Sequence, residues 1–127
     1  MKKATTELIH IFNDHIGASN AITKKILFKK LFKTEYNKSD LGHYMMWELV
    51  KKTMHFLRLK SNCFIVSNYN NGYEYYVIKT TNEAKKYIQT LENNINQIKK
   101  MQRRASQAVI EGWYKQQFKV ETKKQLK

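Results

Sequence analysis

The chain has 127 residues and 15.2 kDa, with 24 Lys and Arg against 10 Asp and Glu, a formal net charge of +14 and a pI near 9.9. That length makes one small domain with a helical appendage and excludes a two-domain enzyme, while 42% apolar residues exclude full disorder. The cationic surplus points to a polyanionic partner, above all nucleic acid. The single cysteine, Cys63, excludes an internal disulfide and a Cys-rich zinc site, and it fits a reducing cytoplasm. No apolar run approaches the roughly 20 residues that span a bilayer, and Glu7, His10 and Asp14 interrupt any signal-like stretch after Met1-Lys2-Lys3. A cytoplasmic location and no membrane partner are expected.

In chain order, Leu8, Ile9, Ile11 and Phe12 predict a first helix over 5–15, with Thr5 or Thr6 as its cap and Gly17 as its stop. Residues 18–21 read as a loop. A second helix is predicted over 23–33, capped by Thr23, with Ile26, Leu27, Lys30 and Leu31 on one side and lysines around the others. Ser39 or Asp40 then caps a third helix reaching about Leu59. Met45, Met46, Leu49, Val50, Thr53 and Leu57 recur at three and four and predict its buried stripe, while Asp40, His43, Tyr44, Trp47, Lys51 and His55 fall opposite.

Two β-rich runs follow, 63–68 and 73–78, separated by Tyr69-Asn70-Asn71-Gly72. Asn-Gly between such runs predicts a hairpin, since a type I′ turn needs positive φ at both central residues. From Thr80 or Thr81 a last helix begins. Its apolar positions Ala84, Ile88, Leu91, Ile95, Ile98, Ala105 and Val109 step by four and three, with Gln102 filling the one polar slot, an a/d heptad pattern. Gly112 is placed to end it. The predicted organisation is a body over 1–80, a long helix over 81–112 and a basic tail over 113–127 containing Trp113, Tyr114 and Phe118. Each side of residue 80 carries a net charge of +7. The fold class is mainly α with a small β-hairpin.

Three helices followed by an Asn-Gly hairpin is also an order found in a known family. The loop Gly17-Ala18-Ser19-Asn20-Ala21-Ile22-Thr23, the helix opening Ser39-Asp40, the strand Ile65-Val66-Ser67, the turn Gly72-Tyr73 and the helix pattern Glu83, Tyr87, Ile88, Leu91 carry a resemblance over residues 16–101. Together, by order and spacing, they resemble the small winged helix-turn-helix proteins of bacteriophage genomes. The resemblance implies a winged helix-turn-helix with a long C-terminal helix, acting as a transcriptional regulator or as a phage replication factor. Family members usually carry arginines just after Ser-Asp, and this chain has Leu41-Gly42-His43-Tyr44 instead. Arginine is the commonest reader of guanine, so the departure bears on sequence-specific readout.

The expected DNA-binding residues follow from that frame. Asp40, Tyr44, Trp47 and Lys51 share one side of the third helix, with Ser39, His43 and Lys52 beside them. Tyr44 and His43 would approach base edges while Lys51 and Lys52 pair with phosphates. Lys24, Lys25 and Lys29 of the second helix would meet the backbone, and Asn70 and Asn71 would sit at the wing tip. Each has a plainer alternative: a packed Trp47, a solvated lysine face, tyrosines 73, 75 and 76 as sheet packing rather than a stacking platform for single strands. The seam Ile88, Leu91, Ile95, Ile98, Gln102, Ala105, Val109 reads either as a homodimer interface or as a helix packed on its own hairpin, with self-association preferred.

Enzyme chemistry is not expected. The four glycines stand apart at 17, 42, 72 and 112, so no phosphate loop is present, and the four histidines lack metal-ligand spacing. No metal and no cofactor are expected. Duplex DNA is the expected partner. The alternative is a phage module that docks on a host nuclease, polymerase or helicase, a reading favoured by the weak recognition helix, which has no arginine just after Ser-Asp, and by the aromatic tail.

Overall fold

The computed structural model describes residues 2–69 and 72–116. In chain order these are α1 (Lys2–Phe12), a 3-10 turn (Ala18–Asn20), β1 (Ile22–Thr23), α2 (Lys24–Phe32), α3 (Leu41–Lys60), β2 (Ile65–Tyr69), β3 (Tyr73–Val77), α4 (Thr81–Ile110) and a second 3-10 turn (Trp113–Lys115). They form two compact units, one ending at Tyr87 and one beginning at Ile88. The division falls inside α4 rather than at residue 80, because the first turns of α4 are tied to the first unit. Thr80 Oγ1 accepts from the Glu83 N–H, and Glu83 Oε1 accepts from the N–H groups of Lys79 and Thr80, a reciprocal helix cap. Tyr87 stacks edge-on against Phe64, ring centres 5.3 Å apart.

The first unit is mainly helical with a small antiparallel sheet in the order β1-β3-β2. Its core gathers Leu8 and Phe12 from α1, Leu27 and Phe28 from α2, Trp47, Val50, Met54 and Leu57 from α3, and Ile65 and Tyr75 from the sheet. Strand β1, which the sequence places in a loop, pairs Ile22 with Tyr75 and Thr23 with Glu74. Two residues are too short a run to leave a periodic signal. The hairpin is present as expected, and its last pair is Tyr69–Tyr73. Three residues therefore connect the strands rather than the two of a type I′ turn; Gly72 has φ of 135°, and Asn70 and Asn71 lie outside the described residues.

Three local expectations are corrected. Helix α1 ends at Phe12, and Gly17 is not its stop. Instead Gly17 takes φ 86° and its N–H donates to the Val77 carbonyl at 2.8 Å, pinning the loop to β3. On α2 the cap is Thr23, whose Oγ1 accepts from the Ile26 N–H. Its buried pair, however, is Leu27 and Phe28, with Ile26 exposed. The Phe28 ring meets those of Phe32, Tyr36 and His43, and that aromatic cluster turns the helix away from Ile26.

On α3 the cap is Asp40, whose Oδ1 accepts from the His43 N–H at 3.2 Å. The buried stripe is Trp47, Val50, Thr53, Met54 and Leu57. Met45 and Leu49, expected inside, are 63% and 47% exposed, whereas Trp47 is 3% exposed and stacks edge-on against Tyr75. Trp47 offers the larger apolar surface, and seating it rotates the helix so that Met45 and Leu49 face water.

In the second unit α4 continues from Ile88 to Ile110 and Gly112, at φ 65°, marks its end. The Arg104 guanidinium lies 4.9 Å from the Trp113 ring centre. Residues 117–127, and Phe118 with them, lie outside the described residues. No helix among the described residues is long and apolar enough to cross a membrane.

Candidate nucleic-acid interface

Within the first unit the positive charge is not evenly spread. Residues 24–60, from the start of α2 to the end of α3, hold ten Lys and Arg against three Asp and Glu. The other residues of 1–80 hold three of each. The whole net charge of that stretch therefore comes from α2, α3 and their connection. Lys25, Lys29 and Lys30 of α2 are exposed, as are Lys33 just after it, Lys38, Lys51 and Lys52.

Alongside α3 runs an open groove of about 410 Å³ between that helix and the hairpin, lined by Tyr44, Lys51 and Arg58 of α3 and by Ser67, Tyr73 and Tyr75 of the strands. A second concavity of about 750 Å³ adjoins it at Lys24, Tyr36 and Tyr73 and takes in Lys25 and Lys38. Lys24 stands where the two meet. It is half-buried, its Nζ 4.1 Å from the centre of the Tyr36 ring and 5.2 Å from that of Trp47. An ammonium over aromatic faces is held by the ring quadrupole, so Lys24 is a fixed charge rather than a swinging one.

The expected site residues separate into two groups. Tyr44, Lys51 and Lys52 are exposed on α3, and Lys25 and Lys29 on α2. His43 and Trp47 do not join them. Trp47 is a core residue. His43 packs on Phe28 and Tyr36, and its Nδ1 accepts from the Asn37 N–H at 3.0 Å, which fixes the connection between α2 and α3. Asp40 spends an oxygen on capping α3, and Ser39 is exposed with its N–H donating to Asn37 Oδ1. Tyr75 and Tyr76 are buried, which leaves Tyr73 and Tyr69 as the exposed tyrosines of the hairpin, stacked edge-on at 5.1 Å. Burial pushes the Tyr75 hydroxyl up to about 12.

Two features of this surface were not legible in the sequence pattern. The first is Glu48. Its Oε1 accepts from Lys51 Nζ at 2.8 Å, so a carboxylate sits beside the lysine best placed on α3. The Lys51 hydrogen bond, aided by Tyr44 and the charge of Lys52, holds Glu48 below the usual carboxylate range. Lys29 is similarly paired with Glu35 at 3.0 Å, which lowers the Glu35 carboxyl. The only sequence signal was the spacing of three between Glu48 and Lys51.

The second is an apolar line on the outward side of α3. Leu41, Met45, Leu49, Phe56 and Leu59 are all exposed and fall within one narrow sector of the helix, broken only by Lys52. Among the described residues no group of three or more His, Cys, Asp or Glu could hold a metal ion. Comparison of the chain with family models, curated proteins and solved structures finds no match.

Proposed function

We propose that the chain binds duplex DNA as a winged helix-turn-helix protein. In this reading α2 lies across the phosphate backbone, α3 enters the major groove and the β2–β3 hairpin is the wing beside it. The observation that carries the reading is the concentration of ten basic residues in α2, α3 and their connection, next to a groove bounded by the hairpin. Lysines act there as point charges on phosphate rather than as base readers. Tyr44, Lys52 and His55 are exposed on α3, with Tyr44 also hydrogen-bonded to Glu48. With so few side chains to reach base edges, affinity comes from phosphate neutralisation and sequence preference is weak.

The test is a titration of duplex DNA across salt. Engagement of six to ten phosphates predicts a loss of roughly 10³–10⁵ in affinity between 50 and 200 mM salt. A flat dependence refutes the proposal. Lys51→Glu with Lys52→Glu is expected to abolish retention without unfolding the protein, since both side chains are exposed.

A second reading rests on the apolar line of α3. Five large apolar side chains along one exposed helix face suit a partner protein's groove or helix. Under it the chain is a docking module, and Met45→Ser with Leu49→Ser breaks the complex while the lysine variants leave it intact.

A further inference from the structure

In the second unit the helix meets water with its apolar side. Ile88, Leu91, Ile95, Ile98 and Val109 are between 42% and 75% exposed, and no residue of α4 is buried. These positions drift slowly around a straight helix, by about 20° per heptad, where a 3.6-residue pattern would stay on one side. They alternate steps of four and three, placing Ile88, Ile95, Gln102 and Val109 at the a positions of a heptad and Leu91, Ile98 and Ala105 at d. A seam with that period is complementary to another helix of the same period, wound with it into a left-handed supercoil.

Three details identify the other helix as a second copy running in the same direction. Branched Ile88 and Ile95 at a with Leu91 at d suit two strands, and the polar Gln102 at a opposes the higher order that Ile98 at d would allow. Gln102 at a is an amide with both donors and an acceptor, and in a parallel pair it meets its own counterpart at the same height, where each satisfies the other. In an antiparallel pair a positions meet d positions, so Gln102 faces an apolar side chain such as Leu91 or Ile98 and loses that partner. Charge agrees. Lys100, Arg103 and Arg104 occupy the outer f, b and c positions, and the flanking g-to-e′ pairs are Asn94 with Lys99 and Met101 with Ser106. A chain of net charge +14 can therefore pair along this seam without setting cation against cation at its edges.

The geometry points to a parallel two-stranded coiled coil between two copies of this chain, formed along Ile88–Val109 with Gln102 opposite Gln102. The partner at this surface is the same chain, not a host protein.

Light scattering on the full chain at micromolar to millimolar concentration is expected to give twice the 15.2 kDa mass. Ile95→Asp with Ile98→Asp is expected to return the single-chain mass while the near-ultraviolet dichroism of the first unit persists. A single-chain mass for the natural sequence, a trimer or tetramer mass, or a dimer indifferent to the two aspartates overturns the inference. Orientation is read by cross-linking in a Cys63→Ala background. Gln102→Cys is expected to form a 102–102 disulfide under mild oxidation. Cross-linking of a Leu91→Cys chain to a Gln102→Cys chain in preference to that bond overturns the parallel arrangement.

Discussion

Glu83 Oε2 accepts the Ala18 N–H at 2.9 Å, across 65 residues of sequence. The same carboxylate caps α4 through Lys79 and Thr80, so one side chain ties the helix start to the loop that leads into β1. Its acid constant is displaced accordingly: the Ala18 hydrogen bond first, then those of Lys79 and Thr80, hold it below the ordinary 4.5. A carboxylate depressed in the folded state adds stability that is present at neutral pH and lost as pH falls through its folded value. The natural protein is therefore expected to lose thermal stability on acidification below pH 4.5, and Glu83→Gln to start lower at pH 7 and lose less. Melting curves at pH 7 and pH 3 for both proteins check this; equal losses would remove Glu83 from the account.

Gly17 stands next to that contact and supplies a separate test. At φ 86° and ψ 152° its backbone is in a region open essentially to glycine alone. An added Cβ would also meet the Lys79 side chain at 3.3 Å, which can move aside. Gly17→Ala is expected to cost about 1–3 kcal/mol through the backbone strain. Chemical denaturation measures it, and a change under about 0.5 kcal/mol would place it with ordinary surface substitutions instead.

Glu48 is the residue most opposed to the proposed DNA reading, and it makes a directional prediction. Its carboxylate occupies Lys51 Nζ and presents a negative charge on the side of α3 that borders the groove. Glu48→Gln frees the ammonium and removes the repulsion of phosphate. Affinity for random duplex DNA is expected to rise severalfold, with a steeper salt dependence because one more cation is engaged. Unchanged or weaker binding in a mobility-shift assay would mean that this side of α3 does not approach the duplex.

Much of the architecture was legible because it is written in local chemistry. Thr23 and Asp40 are polar caps one residue before their helices, Asn-Gly separates two β-rich runs, and Thr80 with Glu83 has the spacing of a reciprocal cap. What was not legible depends on contacts distant in sequence. Strand β1 exists because Ile22 and Thr23 find Tyr75 and Glu74, and nothing in two residues announces it. The phase of α3 is ambiguous in sequence because Met45 and Leu49 satisfy helical spacing as well as the true core positions do. Only the seat of Trp47 against Tyr75 decides between them. The expected DNA surface changed with it: Trp47 and His43 left the face, and Glu48 joined it.

That phase yields the sharpest test of the fold and of the second functional reading together. If Trp47 is the anchor, Trp47→Ala empties a large buried site and is expected to cost about 3–5 kcal/mol, close to the loss for Leu57→Ala at about 2–5 kcal/mol. Met45→Ser and Leu49→Ser, on the exposed side, are expected within about 0.5 kcal/mol of the natural protein. Reversal of that order, with the methionine and leucine variants unfolding and the tryptophan variant intact, would restore the stripe expected from spacing alone and return Trp47 to the outer face. With the order as given, Met45→Ser and Leu49→Ser become clean reagents. They remove apolar surface without disturbing the core. A partner complex that they dissolve while Lys51→Glu leaves it standing is held by the apolar line of α3, whereas DNA retention that they spare and Lys51→Glu abolishes is held by charge.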